Sequence, residues 1–488
     1  MPLFDDDTHE KIVLVISPLN ALEHDQAERF KSMGLEATAV NGEVYNPRLH
    51  KEIVSGKYRL LLTSPEMCLE HAAFSALMRS PEFMKNIASI VVDEAHCISQ
   101  WGGDFRKKFA ELEKLRSFVP RHIPFLITSA TLPPPVLSEV HSKLHFDAES
   151  TFHLNLGNDR PNITPIVQRL SGGASALNNL DFLVKDAASG TLLTRTIVFF
   201  NTRKLAQAAS EYLQSKLPDD MKDQVNFLHA CRTKNARKRV MKEFREGKIN
   251  ILCATEAAGM GMDIQDIIIS VQYMLPSSLS VWLQRAGRAG RSGALAFAIF
   301  FVEPSVFQKK GAKKRSKKKT TTEEEHELLE AIERLQVEPE QEGEIAGTNV
   351  EYKKKTEQGL RDWIDAVDCR RHVTDRYFSN PPASPDLQAL MKTVDSEGQQ
   401  EDVDDTVFIC EQASSFPCCD NCVKKRRKAG EELSDGEMHV MNYINLLGGF
   451  TEDSDQDWDN EGDEDEDDED EEVPDADEMP REFDHLAH

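Results

Sequence analysis

The stretch VVDEAHCISQW (residues 91–101) runs an apolar pair into two adjacent carboxylates, Asp93 and Glu94. A short apolar run that ends on polar side chains is how a doubly wound parallel sheet carries its site, because ligands bind beyond the carboxyl ends of the strands. Upstream, KIVLVI (11–16), RLLLT (59–63) and ASIVV (88–92) read as buried parallel strands, and PFLIT (124–128) follows. LNALEHDQAERFKSM (19–33) and FRKKFAELEKLRSF (105–118) read as helices between them. After a polar segment near 156–190 the pattern restarts with TIVFF (196–200), NFLH (226–229), INILCA (249–254), IIISVQY (267–273) and ALAFAIFFV (294–302). Two such α/β units in tandem predict two doubly wound domains with a cleft between them.

The charge is unevenly placed. The chain has 488 residues and a formal net charge of -26. Residues 451–488 hold 21 acidic residues against Arg481, a net of -20, which leaves about -6 for residues 1–450. Nucleic-acid binding therefore depends on local basic faces and is not excluded by the total. No apolar run approaches 18 residues, so no membrane span is expected. The start, MPLFDDDTHEK, lacks the apolar core of a secretory signal. The 9 cysteines cluster only in PCCDNC (417–422), which points to a reducing compartment and a metal site.

Three further segments agree with the carboxylate pair. LITSATLP (126–133) sets Ser129 and Thr131 at a strand end, and ATEAAGMGMDI (254–264) sets Gly261 and Asp263 after another. QRAGRAGRSG (284–293) offers Arg285, Arg288 and Arg291 at an expected helix start. Arginines of one domain facing a Mg²⁺-nucleotide on another stabilise charge in phosphoryl transfer.

Taken together, DEAHCISQWGGDFR (93–106) with CRRHVTDRYF (369–378) and CCDNC (418–422) resembles the RecQ family of superfamily-two DNA helicases, over roughly residues 11–423. The resemblance implies α/β architecture: two tandem RecA-like doubly wound parallel-sheet domains, the first incomplete, then a helical zinc-binding module and a disordered acidic tail. It implies boundaries at 1–155, 156–303, 304–360 (a charged linker), 361–428 (the zinc module) and 429–488 (the tail). It implies an ATP-dependent 3′–5′ DNA helicase of repair and recombination in the nucleus, using ATP, Mg²⁺ and Zn²⁺ and acting on single strands and duplex junctions. Asp93 would hold Mg²⁺, Glu94 would orient the attacking water, and Arg288 and Arg291 would meet the γ-phosphate. Gly261 and Asp263 would lie at the nucleotide, Asp263 at its ribose. Ser129, Thr131, Gln100 and Gln284 would couple the two ligands. Ser17 and Pro18, in VISPLNALEHDQ (15–26), would follow the DNA backbone, and Trp101, Phe105 and Arg106 would sense the single strand. Stacking on an aromatic ring is sequence-tolerant and contributes about 1–3 kcal/mol per base.

The chain departs from the family pattern in two places. Gly103 stands where the family usually has histidine. No G-x-x-x-x-G-K-[ST] occurs: SGKYR (55–59) and EGKIN (246–250) lack the upstream glycine and the Ser or Thr after the lysine. The family carries this phosphate loop before the segment that VISPLNALEHDQ resembles. The expectation is a helicase without its N-terminal segment, in which KIVLVI has lost its central neighbour and exposes an edge. A non-catalytic DNA-binding remnant is the alternative.

In the cysteine cluster, Cys369, Cys419 and Cys422 match three zinc ligands of the family, and the fourth is Cys418 or Cys410. The basic blocks 309–319 and 424–428 suit DNA binding or nuclear import as well as plain solvation. The acidic tail suits a basic protein partner, competition for the DNA surface, or solubility.

Overall fold

A computed structural model describes residues 3, 10–18, 20–100, 107–147, 149–172, 176–185, 187, 192–256, 264–308, 352–381 and 416–448. Two separate all-parallel sheets organise it. The first is built from β1 (Ile12–Ile16), β2 (Ala37–Val40), β3 (Leu60–Thr63), β4 (Ile87–Val92) and β5 (Phe125–Ile127), in the order β2-β3-β1-β4-β5. The second uses β6 (Ile163–Arg169), β7 (Thr196–Phe199), β8 (Val225–Leu228), β9 (Ile251–Ala254), β10 (Ile269–Tyr273) and β11 (Ala296–Val302), in the order β6-β11-β10-β7-β9-β8. Every residue of β1, β7, β9, β10 and β11 is buried, as β-branched and aliphatic runs covered on both faces must be.

The expected open edge at KIVLVI is not there. β1 pairs in parallel with β3 on one side and with β4 on the other, Leu14 lying opposite Leu61 and Ile90. Its backbone groups are consumed in two ladders, so it is the middle of the sheet. The outer strand on the Asp93 side is β5, where Leu126 is 54 % exposed. The second sheet also begins earlier than expected. β6 comes from the segment read as polar, and its Pro165 and half-buried positions suit an edge strand, which needs only one ladder.

Four helices matter to the sites in the two α/β domains. They are α1 (Asn20–Ser32), α2 (Arg203–Ser215), α3 (Lys234–Arg245) and α4 (Leu279–Ala286). Thr202, Thr233 and Ser278 cap α2, α3 and α4 by accepting backbone N–H bonds. The C-terminal module adds α5 (Gln358–Ile364), α6 (Arg370–Phe378), α7 (Asp420–Lys428) and α8 (Asp435–Leu446). Lys353 N donates to the Gln308 carbonyl at 2.8 Å, which joins the described stretches 264–308 and 352–381.

The boundary drawn at 429 needs correction. Residues 435–446 form α8, closed by a capping box in which Ser434 and Glu437 exchange side-chain to backbone bonds. Val440, Met441, Ile444 and Leu447 enter the core cluster of the second domain with Ile299 and Phe301. The remaining tail, 449–488, lies outside the described residues, as do Cys410 and the basic block 309–319. No helix of the described residues is long and apolar enough to cross a membrane.

Candidate active site and metal centre

β4 delivers Asp93 and Glu94 at its carboxyl end, beside the ends of β1 and β5. Asp93 is held from several sides. Its Oδ1 accepts from the Thr128 hydroxyl at 3.0 Å and from the Glu94 N–H at 3.0 Å, and its Oδ2 accepts from the Gln26 amide at 3.1 Å. Thr128 follows β5 and Gln26 lies on α1, so two flanking elements fix the carboxylate. Glu94 sits at φ 51°, the left-handed region, where a residue with a Cβ carries roughly 1–3 kcal/mol of strain. Strain of this kind persists when the surroundings over-determine the backbone, and here Ala95 N is tied to Thr128 O at 2.9 Å.

Burial raises the Glu94 carboxyl to about 7, and the neighbouring Asp93 charge adds to this, while Arg288 and Arg291 of the second domain pull it back down. Two adjacent carboxylates at a strand end offer the hard oxygen donors that a small dication takes, so the residues present fit Mg²⁺. They do not provide the phosphate cradle. This sequence holds no G-x-x-x-x-G-K-[ST], so the glycine-rich backbone and lysine of such a cradle are not found in it.

His96 joins the domains. Burial lowers it to about 4, so it is neutral near pH 7. Gln284 of α4 donates its amide N–H to His96 Nε2 at 3.2 Å and to the Thr131 hydroxyl at 2.8 Å. The proton then belongs on Nδ1, which faces Ser129 Oγ at 2.9 Å and Glu94 Oε2 at 3.3 Å. Ser129, Thr131 and Gln284, expected to act together, are brought into one network that touches Glu94. Its removal should be visible. Gln284→Ala deletes two cross-domain bonds of about 1 kcal/mol each. The ratio of closed to open forms should fall by roughly 5–30-fold, read as a longer mean inter-domain distance between fluorescent labels. An unchanged distance would refute the bridge.

The arginines are placed differently from the sequence reading. α4 ends at Ala286, so Arg288 and Arg291 lie in the turn after the helix and not at a helix start. Gly290, at φ +63°, lets that turn close on Asn162, whose Nδ2 would lie 2.6 Å from an added Cβ. Arg285 faces into its own domain, donating to Gln272 Oε1 at 2.8 Å and to Glu256. Ser17 and Pro18 are buried, so their side chains do not line an open track. Trp101, Phe105, Arg106, Gly261 and Asp263 lie outside the described residues, as does the side chain of Gln100. Sequence reasoning missed Gln26, Thr128 and His96 as positioning groups. All three stand inside the quoted motifs, but only the fold shows which carboxylate oxygen each one meets.

The second site lies in the C-terminal module. Cys369 precedes α6, Cys419 precedes α7, and Cys422 is one turn into α7. The sulfurs of Cys369, Cys418, Cys419 and Cys422 all lie within 4.8 Å of one another. Cys369 and Cys418 are 3.4 Å apart, and Cys419 and Cys422 are 3.5 Å apart. Hydrogen bonds from the other three thiols hold Cys419 well below its ordinary range. Four convergent sulfurs make a closed, all-thiolate donor set, which fits a structural Zn²⁺.

The comparisons with known proteins agree with this geometry. The family described as DEAD/DEAH box helicase matches residues 1–140, and the helicase conserved C-terminal domain matches residues 181–293. A probable ATP-dependent DNA helicase RecS of Bacillus subtilis is 30% identical over 61% of this chain and 57% of its own. The ATP-dependent DNA helicase RecQ of Haemophilus influenzae is 29% identical over 60% of this chain and 45% of its own. The bifunctional 3'-5' exonuclease/ATP-dependent helicase WRN of Mus musculus is 32% identical over 58% of this chain and 19% of its own. The chain thus spans about half the length of the first two relatives, or less. With two helicase domains in tandem and a carboxylate–arginine site across them, the chain is similar to helicases of the RecQ type.

Proposed function

We propose that this chain is the two-domain motor and zinc module of an ATP-dependent DNA helicase that moves 3′ to 5′ on one strand in repair and recombination. The observation that carries the reading is Glu94 at the cleft, with Asp93 beside it and the charges of Arg288 and Arg291 acting on it from the other domain. Mg²⁺ held by Asp93 would neutralise phosphate charge when nucleotide is present. Thr128 and Gln26 keep the Asp93 carboxylate in one orientation. Glu94 would accept a proton from a water at the cleft, which its raised pKa favours near neutral pH. Gln284 ties the approach of the second domain to the position of His96 and Thr131. Zn²⁺ on the four cysteines would be structural, holding α6 to α7.

The missing phosphate-loop pattern gives a definite expectation for activity. ATP turnover by this chain alone should be near background, with and without single-stranded DNA, because no lysine and glycine cradle is available. Binding to single-stranded DNA should persist. Turnover at an ordinary helicase rate that Glu94→Gln abolishes would overturn the low-turnover expectation and leave the motor reading standing. Loss of DNA binding would count against both the motor and the DNA-binding remnant.

A further inference from the structure

We propose that the exposed basic face of α3 is the docking site for the acidic tail of the same chain. α3 reads KNARKRVMKEFR, with six basic residues against Glu243 alone. Val240 and Phe244 anchor it in the core, and Lys234, Arg237, Lys238, Arg239, Lys242 and Arg245 are all exposed. The ends of the helix already hold carboxylates from the first domain. Lys234 meets Glu43 at 2.5 Å and Arg245 meets Asp25 at 2.5 Å. Among the described residues, Arg237, Lys238 and Arg239 between them have no ion-pair partner, and Lys242 has only a 3.7 Å contact to Glu246. On the other basic helix, α7, three of the five basic residues are already paired: Lys424 with Asp420, Lys425 with Asp368, and Arg426 with Glu431 and Glu437.

The occupant is argued from charge and reach. The tail concentrates a net -20 in residues 451–488, and the described chain ends at Gly448. Gly448 lies beside Gln168 on β6, and α3 packs against β8, at the opposite edge of the sheet. Five strand spacings separate those edges, about 24 Å. Residues 449–488 extend to roughly 130 Å, enough to pass around the domain. Tethering gives the tail an effective concentration in the millimolar range, so a modest attraction keeps it in place at low salt. A tail held there would weaken DNA binding through like-charge repulsion of phosphates bound elsewhere on the chain.

The test is zero-length carbodiimide cross-linking of the full chain, read by mass spectrometry of the monomer band. Lys238 and Lys242 should join carboxylates of residues 451–488. The Lys234–Glu43 pair serves as the internal control, present with or without the tail. The tail cross-links should vanish at 1 M salt, where the Debye length falls to about 3 Å. Lys238→Glu with Lys242→Glu removes both amines, so that double variant is read by DNA binding. In the full chain it should tighten single-stranded DNA binding as removal of 451–488 does, and in the shortened chain it should change nothing. Tail cross-links spread evenly over all exposed lysines, or found only between two chains, would overturn the proposal. So would weaker DNA binding by the double variant in the shortened chain, because α3 would then be a DNA surface.

Discussion

Asp420→Ala should destabilise the protein by about 3–5 kcal/mol, the usual consequence of leaving one member of a buried ion pair without its partner. Asp420 is fully buried and pairs with Arg370, itself 4 % exposed, at 2.7 Å. Arg370 also donates to the carbonyls of Trp363 at 2.6 Å and Ile364 at 3.1 Å, so its guanidinium has no route to water once the carboxylate is gone. The same carboxylate accepts from Val167 N at 3.3 Å, which ties the C-terminal module to β6. The module is further fastened by Thr164, donating to Pro417 O at 2.8 Å, and by Trp363, 5.6 Å from Trp282. The loss should therefore appear in the unfolding of the second domain as well as in the module. Urea denaturation followed by tryptophan fluorescence checks it. A change under 1 kcal/mol would mean that the site relaxes or hydrates. Asp420→Asn, which keeps one acceptor, should cost less than the alanine variant.

Chelation should separate α6 from α7. In small zinc modules the metal contributes about 10–16 kcal/mol of apparent binding energy, and much of it is folding energy. Here four sulfurs gathered within 4.8 Å link segments from far apart in the sequence, Cys369 on one side and Cys418, Cys419 and Cys422 on the other. Protein purified without chelator should carry one Zn²⁺ per chain. Removing it should expose Trp363 and make the amides of α6 and α7 exchange rapidly, while β1, β3 and β4 of the first domain stay protected. Cys422→Ser should reproduce the effect. Metal analysis that finds no zinc, or a module whose exchange ignores the chelator, would refute the assignment. The Arg370–Asp420 pair packs beside these cysteines, so the two losses should not add independently.

Much was legible in the sequence because burial and period leave direct marks. The stretches IVLVI (12–16), LLL (60–62) and AFAIFFV (296–302) are apolar at every position, as a strand covered on both faces requires, and each lies in such a strand. The carboxylate pair Asp93 and Glu94, Gln284 and the cysteine cluster stand in motifs whose order survives without any structure. β6 was not legible, since an edge strand with a proline and half-buried positions resembles a polar loop. α8 was masked by the acidic residues that follow it, although Ser434 and Glu437 carry the capping signal.

Strand order is the plainest case of what the chain could not announce. Identical apolar runs suit the middle or the edge of a sheet, and only pairing on both sides makes β1 central and leaves β5 outermost. The same holds for the site. Sequence named Asp93, Glu94 and the two arginines by residue type, and it named Ser129, Thr131 and Gln284 by resemblance. The tertiary structure decided that Gln26 and Thr128 grip different oxygens of Asp93, that Arg285 turns inward, and that Gln284 reaches across the cleft to His96. These contacts join residues 13 to 188 positions apart. Local propensity acts over a few residues, so such meetings are fixed only when the sheets and helices have packed.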